Sequence, residues 1–125
     1  MKDIEILQKD ENYCKAAFSP SQDMPDLLPL GKSEFLASHI IFDQSTKVAN
    51  MLVKDDAFLS SVEMRFLSPL PKDNKLILEA RVIQKISKKC VIEVSGFYLD
   101  ILIFSANFTY AILDKALFEL ENPNI

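Results

Sequence analysis

The fold turns on HIIFDQSTKVANML, residues 39–52. With successive residues about 100° apart on a helix, most of its apolar side chains, Ile40, Ile41, Phe42, Val48, Ala49, Met51 and Leu52, share one broad arc. His39, Asp43, Thr46 and Asn50 then form a narrow polar stripe, and Gln44 falls inside the apolar arc. Upstream, Ser33 can cap the helix and Phe35 and Leu36 extend its apolar side; downstream, it ends near Lys54 and Asp55. This is the chain's one long helix signal.

On the C-terminal side the period changes from helical to two. In Phe58–Leu67, Val62, Met64 and Phe66 alternate with Ser61, Glu63 and Arg65, which predicts a strand with one buried face. The turn SPLPKDN, residues 68–74, breaks it before Leu76, Leu78, Ala80 and Val82 resume the alternation. After a turn region at Lys85–Lys89, a third strand covers Cys90–Tyr98. A bend at Leu99 and Asp100 returns the chain as a fourth, on which Leu102, Phe104, Ala106, Phe108, Tyr110 and Ile112 share a face. Leu113–Leu120 reads as a short terminal helix or tail. Before the helix, Asn12–Ser19 suits a short strand, and Ser19–Gly31, with three prolines, reads as a connecting loop.

The expected order is a helix followed by an antiparallel meander, an α+β architecture in which the sheet wraps one long central helix. Such a sheet leaves an edge for a partner, so a homodimer, or a dimer of dimers, is expected. The 125 residues fit one domain, 1–125, with a real core.

Composition narrows the function classes. Fourteen Lys and Arg against eighteen Asp and Glu give a net charge of -4, a poor match for a polyanion, so nucleic acid is not expected as a partner. Residues 1–11 lack the apolar core of a signal peptide and no stretch reaches membrane-spanning length, so no membrane is expected and a cytoplasmic location is. Cys14 and Cys90 have neither CxxC spacing nor a nearby His, and read as reduced, partly buried thiols. One His cannot build a histidine metal cluster within a subunit, and the chain has no GxSxG elbow, phosphate loop or HExxH. No metal and no cofactor are expected.

His39 and Asp43, four residues apart, can meet on the helix surface, and Asn50 extends the same face by almost two turns. That stripe is either a solvated helix face or a small polar site. An amide on the apolar arc needs partners, so Gln44 either bonds strand backbone or contacts a ligand. Arg65, Arg81, Lys85, Lys88 and Lys89 serve surface solubility or receive a phosphorylated carrier at a cleft mouth.

The stretch 39–52, together with FLSSVEMRFLSPLPKDNKLILEARVIQK at residues 58–85, resembles the hotdog superfamily, in which a helix is followed by a strand, a Pro-containing turn and a strand of the form LxxxARV. The likeness covers roughly residues 31–113. Phe42, Asp43 and Gln44 are similar to the F-N-Q of FcoT-like long-chain acyl-CoA thioesterases and to the H-H-L-F-A-Q of the malonyl-CoA-sensing hotdog domain of FapR-type repressors. The first resemblance implies that Asp43 stands where that branch has a catalytic Asn. Glu11, Asn12 and Tyr13 also resemble a segment of that branch whose Tyr joins the site. A second family Tyr, before Gly31, is replaced near Asp26. The repressor branch carries a DNA-binding domain absent here.

The resemblance implies hydrolysis of an acyl-CoA or acyl-carrier-protein thioester at the dimer seam. Asp43 activates water or attacks directly, Gln44 and helix amides polarise the carbonyl, and His39 and Tyr13 position the nucleophile. Arg65, Arg81, Lys85 and Lys88 are the candidates for carrier-phosphate contacts on that reading. The alternatives are a non-catalytic acyl-thioester sensor or carrier and, third, a hydroxyacyl thioester dehydratase.

Overall fold

A computed structural model describes residues 4–19, 38–53, 56–69 and 75–113. The elements are β1 (Glu5–Lys9), β2 (Tyr13–Phe18), α1 (Ser38–Asn50), β3 (Ala57–Phe66), β4 (Leu76–Ile86), β5 (Lys89–Tyr98) and β6 (Ile101–Ile112). The strands form one antiparallel sheet in the order β1-β2-β4-β5-β6-β3. Ser33, the 20–31 loop and the C-terminal segment from Asp114 onward lie outside the described residues.

One face of the sheet packs against α1. Cross-strand register aligns Phe108 with Val62 on β3 and Ile92 on β5, and the Phe108 ring stacks on Phe42 of the helix with centroids 6.2 Å apart. Residues in phase with Phe108 therefore form the inner face. They include Phe104, Ala106 and Tyr110 on β6, Ile92 and Val94 on β5, Leu78 and Ala80 on β4, and Cys14, Ala16 and Phe18 on β2, all buried. The helix contributes Ile40, Ile41, Val48, Ala49 and Leu52 to the same core. Among the described residues this is the expected α+β arrangement, an antiparallel sheet packed on one helix.

Strand order departs from a simple meander. Of the four strands after the helix, β4, β5 and β6 lie side by side in sequence order; β3 lies beyond β6 at the sheet edge, while β4 pairs with β2. The helix lies in sequence between β2 and β3, and residues 70–74 of the SPLPKDN turn, between β3 and β4, lie outside the described residues.

A strand that the sequence did not announce, β1, pairs with β2 through a tight turn. The Asp10 N–H donates to the Tyr13 carbonyl and the Asn12 N–H to Asp10 Oδ1, both at 2.9 Å. The helix ends at Asn50, short of Lys54. The amides of Met51, Leu52 and Val53 bond three residues back, tightening the last turn into 3₁₀ geometry.

The β5–β6 hairpin turns on Leu99 and Asp100 with φ of 47° and 65°. Both lie in the left-handed region that favours Asn and Gly, and Leu99 gains nothing from packing, at 74% exposure. Replacing the pair with Asn-Gly should raise stability by about 1–2 kcal/mol, read from the urea midpoint.

Candidate functional site

The stripe along α1 is on the surface of the protomer: His39, Asp43 and Asn50 are exposed and Thr46 is half-buried. Gln44, one residue round from Asp43, is buried at 3% exposure and is engaged by the surrounding structure. The helical phase read from the sequence thus separates the stripe from the core as expected.

Beside the stripe lies an open cleft of about 310 Å³ between the helix and the sheet edge, lined by Thr46, Asn50, Val53, Ala57, Leu59 and Tyr110. Leu59 sits opposite Tyr110 in the ladder, so β3 and β6 form its floor. The Tyr110 hydroxyl donates to Asn50 Oδ1, and the Thr46 hydroxyl donates to the Phe42 carbonyl at 2.9 Å. A second cleft, of about 180 Å³, shares Val53 and continues past the helix end to Glu11, Val82, Lys85 and Cys90.

Tyr13 is placed away from His39 and Asp43. It lies opposite Arg81, in a row that continues through Glu93 and Asn107 to Glu63, out of phase with Phe108 and hence on the outer face of the sheet. Its hydroxyl donates to Glu79 Oε1 at 2.6 Å, and the Arg81 guanidinium lies 5.6 Å from its ring centroid. The expectation that Tyr13 helps His39 to position a nucleophile meets a plain obstacle of strand parity: within one protomer the sheet stands between them.

The expected phosphate contacts are also dispersed. Arg65 is on the exposed outer face of β3, 4.0 Å from Glu63, and Arg81 is committed to Tyr13. Lys88 sits in the exposed β4–β5 turn, and Lys85 alone of the four lines the second cleft. Cys14 and Cys90 are buried thiols outside any disulfide; burial pushes the Cys14 thiol up.

Sequence reasoning passed over two features. Tyr110 carried a strong inner-face signal, yet its hydrogen bond to Asn50 depends on which helix turn passes over β6. Ser45 sits at the centre of the buried arc, wholly inaccessible, and is the one buried side chain among the described residues whose hydroxyl has no hydrogen-bond partner.

Desolvation and the bond to Glu79 raise the Tyr13 pKa to about 12, and desolvation raises that of Tyr110 to about 12. A phenol whose folded-state pKa is raised holds its proton longer in the native state than in the unfolded chain. Stability is fully present below pH 10 and falls as pH rises toward 12. Absorbance at 295 nm should show two tyrosines ionising near pH 12, and the urea midpoint should drop across that window. Ionisation of Tyr13 and Tyr110 near pH 10 in the native state would contradict these environments.

No protein-family model matches the chain, and no curated protein matches it in sequence. Solved structures do match. An uncharacterized protein from Pyrococcus horikoshii superposes with a TM-score of 0.77 at 19% identity, covering 93% of this chain and 87% of its own. A mutant of a hypothetical thioesterase protein from Streptococcus pneumoniae gives 0.77 at 12% identity, covering 89% and 90%. A Streptococcus mutans protein bound to acetyl CoA gives 0.75 at 15% identity, covering 90% of each chain. Among the described residues no helix is long and apolar enough to cross a membrane. The helix and six-stranded antiparallel sheet of the described residues agree with these superpositions: the chain has the hotdog fold.

Proposed function

We propose that the protein hydrolyses an acyl-CoA or acyl-carrier-protein thioester in the cleft beside α1, closed by a second copy of the chain. One observation carries this reading. The polar stripe with Asp43 is exposed and borders a cleft that opens at the sheet edge, where β3, among the described residues, has a strand neighbour on one side only.

The two edges of the sheet differ in the way that pairing requires. β1 has five residues, three of them Glu5, Gln8 and Lys9, and a register break, all of which discourage further pairing. β3 has ten residues and presents an inner face of Leu59, Val62, Met64 and Phe66 that the protomer covers only in part; Phe66 remains 44% exposed. Joining two β3 edges about a two-fold axis would continue the sheet, cover that apolar face and enclose the stripe.

In the enclosed site Asp43 acts as the base for water or as the nucleophile, the choice depending on the substrate pose. His39, four residues before it, steadies its carboxylate, and Gln44 holds the helix against the core beneath. Lys85, at the mouth of the adjoining cleft, receives carrier phosphate. The S. mutans neighbour with acetyl CoA supports a CoA-borne ligand for this fold. A cytoplasmic location suits Cys14 and Cys90 as buried thiols.

A second reading, a non-catalytic acyl-thioester-binding module, draws on the commitment of Tyr13 to Glu79 on the outer face. A thiol-release assay over acyl-CoAs from acetyl to palmitoyl separates the two. Turnover by the wild-type protein is the expected result. Acyl-CoA binding in calorimetry without released thiol would select the binding module, and neither binding nor release would remove both.

A further inference from the structure

We infer that Asn50, clamped by Tyr110, is the hydrogen-bond donor for the first amide carbonyl of a pantetheine arm, and so selects pantetheine-borne thioesters and sets them in register with Asp43. This rests on the thioester reading above and adds the part of the substrate that the cleft recognises.

The argument is an accounting of donors. Of the six side chains lining the larger cleft, Val53, Ala57 and Leu59 are apolar. The Thr46 proton goes to the Phe42 carbonyl, and the Tyr110 proton goes to Asn50 Oδ1. Because the oxygen of the Asn50 amide is taken, its orientation is fixed and Nδ2 is left as the side-chain donor that the lining offers. An open cleft whose lining side chains offer one oriented amide donor fits a ligand that passes an amide carbonyl at that point.

Spacing identifies which acceptor. Asn50 follows Asp43 by seven residues on the same stripe, about 10 Å along the helix. In an extended pantetheine thioester the first amide carbonyl lies roughly 6 Å from the thioester carbon, by ordinary bond lengths. Hydrogen-bond and attack distances of about 3 Å at the two ends cover the remainder. A second carbonyl on the acyl side is not a general feature of fatty acyl groups, whereas every pantetheine arm has this amide. Tyr110 is a positioning residue: its phenol, held neutral well into the alkaline range by burial, donates throughout the working pH range.

The test compares hexanoyl N-acetylcysteamine, which keeps that amide, with S-pentyl hexanethioate, which has the same length without it. Wild-type protein should prefer the first by about 3–10-fold in kcat/KM, the worth of one neutral hydrogen bond. Asn50→Leu should bring the ratio to about one, by lowering kcat/KM for the N-acetylcysteamine ester more than for the alkyl thioester. Tyr110→Phe should lower the ratio in the same way, an effect that a purely structural role would not have because it would depress both substrates. A wild-type ratio of one, or an Asn50→Leu protein that keeps the preference, overturns the inference and leaves the hydrolase reading standing. No thiol release from either compound or from hexanoyl-CoA overturns the hydrolase reading and the inference with it.

Discussion

Asp43→Asn is expected to lower kcat for acyl-CoA hydrolysis by about 10²–10⁴-fold, the usual span for loss of a general base, with KM changed little. The substitution keeps the shape of the side chain and removes its ability to accept a proton or to attack. Asp43 is exposed in the protomer, so the variant should unfold within about 0.5 kcal/mol of wild type. Loss of activity with unchanged stability separates a chemical role from a packing one. An Asp43→Asn protein that turns over acyl-CoAs at the wild-type rate would remove Asp43 from the mechanism. The neighbouring polar residues offer no ready substitute: Thr46 is bonded to the helix backbone and Asn50 to Tyr110.

The largest structural effect is expected at Gly96. It lies opposite Phe104 across the β5–β6 ladder, and a Cβ built there would fall 2.0 Å from Cε1, 2.4 Å from Cδ1 and 2.8 Å from Cζ of the Phe104 ring. The ring covers the glycine as a lid. It cannot swing aside cheaply, because Phe104 is fully buried and packs against Phe66 with ring centroids 6.2 Å apart. Gly96→Ala should therefore cost about 3 kcal/mol or more, at the upper end of overpacking penalties in a dense core. Urea unfolding measures it, and a double-mutant cycle with Phe104→Leu identifies the cause. The second change frees the space, so the pair should be less destabilised than the sum of the single variants. Additive losses would show that the glycine is needed for something other than that ring.

These two expectations draw on parts of the molecule that were legible to different degrees. The helical phase of residues 39–52 could be read directly, because eleven of those residues sort into an apolar arc and a polar stripe, and the fold keeps that division except at Met51, which lies past the helix end and is exposed. The even-numbered face of β6 was equally plain, since Phe104, Ala106, Phe108 and Tyr110 all point to the core. By contrast β1 buries no side chain and is held by backbone pairing to β2, which leaves no period in the sequence. The position of β3 was hidden for another reason. Alternation along a strand specifies which face is apolar but says nothing about which strand lies alongside, so a meander and the observed order share one pattern.

Site residues were legible only where a single element carries them. His39, Asp43 and Asn50 lie on one helix, so their common face follows from spacing. Tyr13 required the phase of β2 relative to the helix across the sheet, and one residue of register decides which side it takes. Its bond to Glu79 then anchors it on the outer face. The Asn50–Tyr110 pair joins residues sixty apart in sequence and emerged only from the packing of α1 over β6.

The central claim is that a second protomer, joined through β3, closes the cleft beside Asp43. Sedimentation equilibrium on the wild-type protein at micromolar concentration tests it most directly. The account predicts a species of twice the chain mass, or a multiple of it. A species of one chain mass under conditions where thiol is still released would contradict it, for the stripe would then work while open to bulk water.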